Sequence, residues 1–87
     1  MSAATQIYHT PFDAVFLKLS PALQSRIEAK LDHMGLSLDR FPHHRLTNSN
    51  RFRLRVGDYR VIYSFDVVRN EIHQLGVGHR REIYRGL

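Results

Sequence analysis

Between Arg51 and Val56 the chain alternates cation and hydrocarbon without a break. Phe52, Leu54 and Val56 are apolar, while Arg51, Arg53 and Arg55 are all arginine. A period of two is the pattern of a strand with one face against a core and the other in water. Gly57-Asp58 then supplies a tight reversal into a second strand, residues 59 to 65, and Arg69-Asn70 a reversal into a third, residues 71 to 78. The three together make an antiparallel meander. Arginines two positions apart on such a strand stand about 6.8 Å from one another. That is close to the phosphate repeat of a single nucleic-acid strand, and guanidinium groups are shaped for paired hydrogen bonds to phosphate oxygens. A solvated sheet face is the plain alternative.

The apolar face of the meander needs a cover, and the first half of the chain provides one. Gln6 to His9 is short and β-prone, and Thr10-Pro11, with Asp13 three residues after Thr10, reads as a helix start capped by Thr10. Phe12, Val15, Phe16 and Leu19 form its apolar stripe. Ser20-Pro21 repeats the start signal, and Leu23, Ile27, Leu31 and Met34 recur at helical spacing until Gly35, a C-terminal stop. The two helices form a hairpin. From Leu36 to Asn50 the sequence is polar and rich in turn formers, and it reads as loop. The expected fold is α+β, a small antiparallel sheet of order β-α-α-β-β-β with the N-terminal helical hairpin packed on one face. A chain of 87 residues is expected to form a single domain.

If the helices cover Phe52, Leu54 and Val56, then Arg51, Arg53 and Arg55 are left on the open face, because charged groups are rarely buried unpaired. Arg60 follows on the next strand, and Gly78-His79-Arg80-Arg81-Glu82-Ile83-Tyr84 brings a further cationic cluster and a phenol to the end of the third. The same alternation sets Tyr59 and Tyr63 beneath the helices. Charge distribution agrees with this reading. The net charge is +5, yet residues 1 to 44 are neutral and the whole excess lies beyond them, where nine arginines face Asp58, Asp66, Glu71 and Glu82. Such a half-molecule attracts a polyanion or an acidic protein. The absence of cysteine excludes disulfides and thiolate sites. No His/Asp/Glu spacing suggests a metal site, and no glycine-rich phosphate loop, nucleophilic serine context or cofactor motif is present. There is no membrane-length apolar run and no secretory leader pattern, so the chain reads as a complete cytoplasmic protein.

The runs Arg53-Leu54-Arg55-Val56-Gly57-Asp58-Tyr59-Arg60-Val61-Ile62-Tyr63 and Val77-Gly78-His79-Arg80-Arg81-Glu82-Ile83-Tyr84, with the two-helix first half, resemble the RelE toxins of the RelE/ParE toxin–antitoxin superfamily over nearly the whole chain. The resemblance implies a RelE-like fold and a toxin that acts as a metal-independent endoribonuclease, or mRNA interferase. It would cut mRNA on the ribosome, in contact with 16S rRNA, and a cognate antitoxin would silence it. In such enzymes the RNA's own 2′-hydroxyl attacks the neighbouring phosphate and leaves a 2′,3′-cyclic phosphate. Carried over by position, Arg53 and Arg55 match a basic pair, Arg60 a phosphate-binding arginine, Arg80 a catalytic arginine and Tyr84 a C-terminal tyrosine. Arg51, Arg81 and Arg85 would add substrate contacts. The family pair is often lysine, which can lose a proton, whereas arginine does not. The general base is therefore open, with His79 a candidate because imidazole titrates near neutrality; alternation sets it opposite to Arg80. The adjacent His43 and His44 lie in a loop that could close over the site. Two other functions fit the same sequence: a ParE-like inhibitor of DNA gyrase that acts by protein binding, and an RNA-binding module that does not cut.

Overall fold

The computed structural model describes residues 2–84. Its elements run β1 (Thr5–Tyr8), α1 (Thr10–Phe16), α2 (Pro21–Leu36), β2 (His44–Arg45), β3 (Phe52–Val56), β4 (Tyr59–Asp66) and β5 (Glu71–His79). The five strands lie side by side in the order β1-β5-β4-β3-β2. The meander and the helical hairpin stand where the alternation and the start signals place them. Gly57 and Asn70, at the two reversals, adopt positive φ of 58° and 53°, as tight turns of this kind require.

Two features of the sheet differ from expectation. β1 pairs parallel to β5, with Thr5 opposite Glu71 and Tyr8 opposite Gln74, so the sheet is mixed rather than antiparallel. Within the expected loop, His44–Arg45 forms a fifth strand, antiparallel to β3, with His44 opposite Arg53. Two residues are too few to display a period, and their pairing depends on the neighbouring edge rather than on their own pattern.

The helix termini follow local chemistry with one shift. α1 is capped by His9, not Thr10, and no side chain contributes; the His9 carbonyl instead accepts from the Phe12 and Asp13 N–H groups at 3.0 and 3.1 Å. At α2 the Ser20 hydroxyl accepts from the Leu23 N–H at 3.3 Å, satisfying one of the donors that a helix start leaves free. α2 continues one residue past Gly35. That glycine serves close approach instead of termination: the Ala4 N–H donates to its carbonyl at 2.8 Å, and a Cβ there would lie 3.2 Å from Gln6 Nε2.

Phe12, Ile27, Leu31, Met34, Val61, Tyr63 and Ile72 are fully buried between the helices and the sheet, each such side chain contributing about 1.5–3 kcal/mol. Two polar groups enter this layer. Gln74 donates to Gln6 Oε1 at 2.7 Å, and Gln6 donates to the Leu31 carbonyl at 2.9 Å, so β5, β1 and α2 are joined. His43 bridges the Tyr63 hydroxyl at 2.6 Å and the Leu38 carbonyl at 2.7 Å, with its ring stacked 3.9 Å from that of Phe65. His43 is thus a clamp that pins the segment before β2 onto the core.

β5 contains one irregularity. Ile62 pairs with Gly76 and Tyr63 with Gln74, leaving Leu75 as a bulge. The extra residue changes which side chains point inward. Before it, Ile72 and Gln74 face the helices; after it, Val77 does.

Candidate active site

The register defines the open face strand by strand. Arg55 stands opposite Arg60 and Arg53 opposite Ile62, while Arg60 stands opposite Gly78 and Ser64 opposite His73. Directly opposed residues share a face. That face therefore carries His44 on β2, Arg53 and Arg55 on β3, Arg60, Ile62 and Ser64 on β4, and His73, Gly76 and Gly78 on β5. Arg53 and Arg55 are exposed, as are Arg51, Arg80 and Arg81.

Arg60 corrects the picture of a uniformly wet face. It is on the expected side but only 8% exposed. Its Nη1 donates to the Gly57 and Tyr59 carbonyls, each at 2.9 Å, so the guanidinium is folded against the turn between β3 and β4. Ile62, on the same face, is also buried. The cover comes from Ile83, which lies over the glycines of β5: a Cβ on Gly78 would be 3.2 Å from Ile83 Cδ1, and one on Gly76 3.9 Å.

Arg80 comes to the same turn from the end of β5. Its backbone N–H donates to the Asp58 carbonyl at 2.7 Å, and its Nε lies 3.6 Å from Asp58 Oδ1. Two guanidinium groups from different strands thus contact adjacent residues of one turn, with Arg55 paired across from Arg60. Tyr84 is 37% exposed at the end of the described chain, and Arg85 lies outside the described residues. A carboxylate holding Arg80 occupies the position that an anionic ligand would compete for.

His79 is elsewhere. It pairs with Tyr59, its ring meets that of Tyr59 edge-on at 5.6 Å, and its Nδ1 accepts from the Arg81 N–H at 3.2 Å. Tyr59 borders a helix-side cleft together with Leu23 and Arg26, so His79 is on the face away from Arg55 and Arg60. Tyr63 and Tyr59 are beneath the helices, as the alternation requires. Burial pushes the Tyr63 hydroxyl's pKa far above the ordinary phenol range, leaving it a neutral donor to His43.

A histidine pair is the element that the sequence pattern does not display. His9 Nε2 and His73 Nδ1 lie 2.9 Å apart, although 64 residues separate them in the chain. His9 also borders an open-face cleft of about 330 Å³ together with Pro11, Arg51, Ile62, Leu75, Gly76 and Ile83. Among the described residues no three histidine or acidic side chains gather as a metal site, and no helix is long and apolar enough to cross a membrane.

The mixed five-stranded sheet thus carries a helical hairpin on one face and arginines on the other, and comparison with known proteins supplies the family. Residues 7–84 match the family model described as ParE toxin of type II toxin-antitoxin system, parDE. The chain belongs to that family, within the RelE/ParE superfamily. The fold is similar to that in the toxin–antitoxin complex RelBE2 from Mycobacterium tuberculosis, at 22% identity and TM-score 0.75, covering 94% of this chain and 97% of that one. It is similar to a free mutant of the E. coli toxin RelE, at 15% identity and TM-score 0.76, covering 94% and 88%. The archaeal RelE–RelB complex from Pyrococcus horikoshii OT3 gives 23% identity and TM-score 0.72, covering 93% and 99%. No curated protein matches the sequence. The protein is a toxin of a type II toxin–antitoxin system with a RelE-like fold.

Proposed function

We propose that this toxin is an endoribonuclease that cleaves mRNA on the ribosome by 2′-hydroxyl attack on the adjacent phosphate, leaving a 2′,3′-cyclic phosphate and a 5′-hydroxyl. The observation that carries the reading is the meeting of Arg60 and Arg80 at the Gly57-Asp58 turn beside Arg55. Phosphoryl transfer of this kind passes through a phosphorane with added negative charge, and fixed cations aimed at that charge lower the barrier. Arg60 is already desolvated and tied to two carbonyls, so it needs little reorganisation to meet a phosphate. Arg80 would exchange Asp58 for the scissile phosphate or the departing oxygen. Arg53 and Arg55 would hold phosphate along the strand, Arg51 and Arg81 would extend the contact, and Tyr84 would orient a nucleotide by stacking or relay a proton. The nucleophile belongs to the RNA, so the reaction calls for no metal and DNA is not a substrate.

The natural inhibitor on this reading is a cognate antitoxin whose acidic segment folds over the cationic face, and the site of action is the cytoplasm, where ribosomes and message are found. The family description favours a second reading, a ParE-like protein that inhibits DNA gyrase by binding it. One pair of assays separates the readings. Purified protein incubated with ribosomes, message and chelator should yield fragments ending in cyclic phosphate and leave gyrase supercoiling intact. Supercoiling inhibition with intact message reverses the assignment. Salt-dependent RNA binding without products leaves only a binding module.

A further inference from the structure

Arginine side chains do not serve as bases, so the proposed reaction needs another group to take the 2′-hydroxyl proton. We infer that His9 is that group and that His73, backed by Glu71, positions it; this inference rests on the endoribonuclease reading above.

The neighbouring polar groups favour one placement of the hydrogens on the two rings. Glu71 Oε1 lies 3.9 Å from His73 Nε2, too far for a hydrogen bond but close enough to favour a proton on that nitrogen. His73 Nδ1 is then an acceptor. It faces His9 Nε2 at 2.9 Å, so His9 carries its hydrogen on Nε2 and leaves the lone pair of Nδ1 free. A carboxylate, an imidazole that relays its influence and an imidazole with a free nitrogen follow the same logic that prepares bases in hydrolases.

The backbone holds His9 as firmly as its ring is held. Its N–H donates to the Gln74 carbonyl at 3.0 Å, and its carbonyl accepts from Phe12 and Asp13. The residue lies between β1 and α1 with both its backbone N–H and its carbonyl engaged. The Leu75 bulge supplies the other half of the arrangement, because it allows His73 and Gly76 to share the open face. The cleft bordered by His9, Arg51, Ile62 and Gly76 spans that face, and Arg53 stands directly across from Ile62. Its floor is therefore apolar, with an imidazole at one rim and cations at the other, which suits a ribonucleotide whose base rests on Ile62 and whose phosphate meets arginine. The Arg55–Arg60 pair lies one same-face step further along the strands, about 6.8 Å away.

In the step itself the O2′–H bond breaks and its proton passes to His9 Nδ1. O2′ bonds to phosphorus as the bond from phosphorus to O5′ breaks, and O5′ takes a proton from water. The charge on the His9 imidazolium is met by His73 Nδ1 through the Nε2 hydrogen, and by Glu71 behind it. His9 returns its proton to solvent when product leaves. His44, the other histidine on this face, is exposed opposite Arg53; its side chain has no hydrogen-bond partner among the described residues and so no fixed tautomer.

The test compares His9→Gln, His73→Phe and His44→Gln with the wild type in the ribosome cleavage assay. Glutamine at position 9 keeps an N–H toward His73 but offers only a weakly basic amide oxygen where the free ring nitrogen stood. His9→Gln should lower kcat about 10²-fold or more with KM within threefold, in line with a general base, while thermal unfolding stays close to wild type. His73→Phe should lower kcat about tenfold at unchanged KM and abolish the single Nε2–H tautomer of His9 in ¹⁵N NMR. Cleavage by His9→Gln within threefold of the wild type overturns the inference and leaves the nuclease reading standing, as does a loss confined to His44→Gln. No cleavage by the wild type removes the reading and the inference with it.

Discussion

Replacing Tyr63 with phenylalanine isolates one buried interaction and offers two readouts. The Tyr63 ring is fully buried, and its hydroxyl meets His43 Nδ1 at 2.6 Å. His43 Nε2 must donate to the Leu38 carbonyl, so Nδ1 has no hydrogen and the Tyr63 O–H is the donor. Phenylalanine preserves the packing and leaves Nδ1 without a partner, a loss of about 2 kcal/mol. In a domain of this size that lowers Tm by about 8–16 °C. The second readout is alkaline stability. Burial raises the folded-state pKa of Tyr63 above its unfolded value, so the stability this provides is complete below the unfolded value of about 10 and is lost as pH rises past it. The unfolded chain ionises while the folded one does not, at a cost approaching about 1.4 kcal/mol per pH unit. Tyr8 is raised as well, chiefly by burial and then by Asp32, Glu28 and Asp13, but it is common to both proteins and cancels on subtraction. Urea denaturation at pH 8 and pH 11 should therefore show the gap between wild type and Tyr63→Phe shrinking from about 2 to about 0.6 kcal/mol. A gap below about 0.5 kcal/mol at pH 8, or one that stays constant across this range, refutes the reasoning.

Gly57→Ala places a Cβ at φ +58° and 3.1 Å from Arg26 Nη2; the left-handed conformation costs about 1–2 kcal/mol, to be read from the urea midpoint, and an unchanged midpoint contradicts the turn geometry. Arg53→Ala should reduce the slope of log affinity against log salt for a single-stranded RNA by roughly 0.7, while Arg53→Lys retains it; equal slopes in all three proteins place Arg53 away from the backbone. Arg80→Ala should cut ribosome-dependent cleavage on the order of 10²-fold with thermal unfolding unchanged, and full activity in that variant removes Arg80 from the chemistry.

The sequence displays elements wherever a single residue's neighbours decide its state, and hides whatever depends on distant partners. The alternation from Arg51 to Val56 shows both the strand and the face its arginines occupy, because the period belongs to the segment itself. It also places Arg60 on that face. What it does not show is that Ile83, far along the chain, lies over Gly76 and Gly78 and helps make the face partly dry. The parallel pairing of β1 and the two-residue β2 are tertiary outcomes of the same sort, since neither segment carries a signal of direction or partner. His9 and His73 fall in segments that read as the end of one strand and the interior of another, and only the folded register brings them together. His79 could be set apart from Arg80 by alternation, and the observed pairing with Tyr59 places it on the helix side.

Leu75 gives the third meander strand one residue more than its partner needs. Delete it, and the strand closes up into plain alternation: Gly76 follows Gln74 directly, their pairing with Ile62 and Tyr63 becomes continuous, and Val77 keeps its place in the oily interior. The spare residue thus acts as slack, so that a single-codon deletion here is absorbed locally instead of exchanging the two surfaces of half a strand.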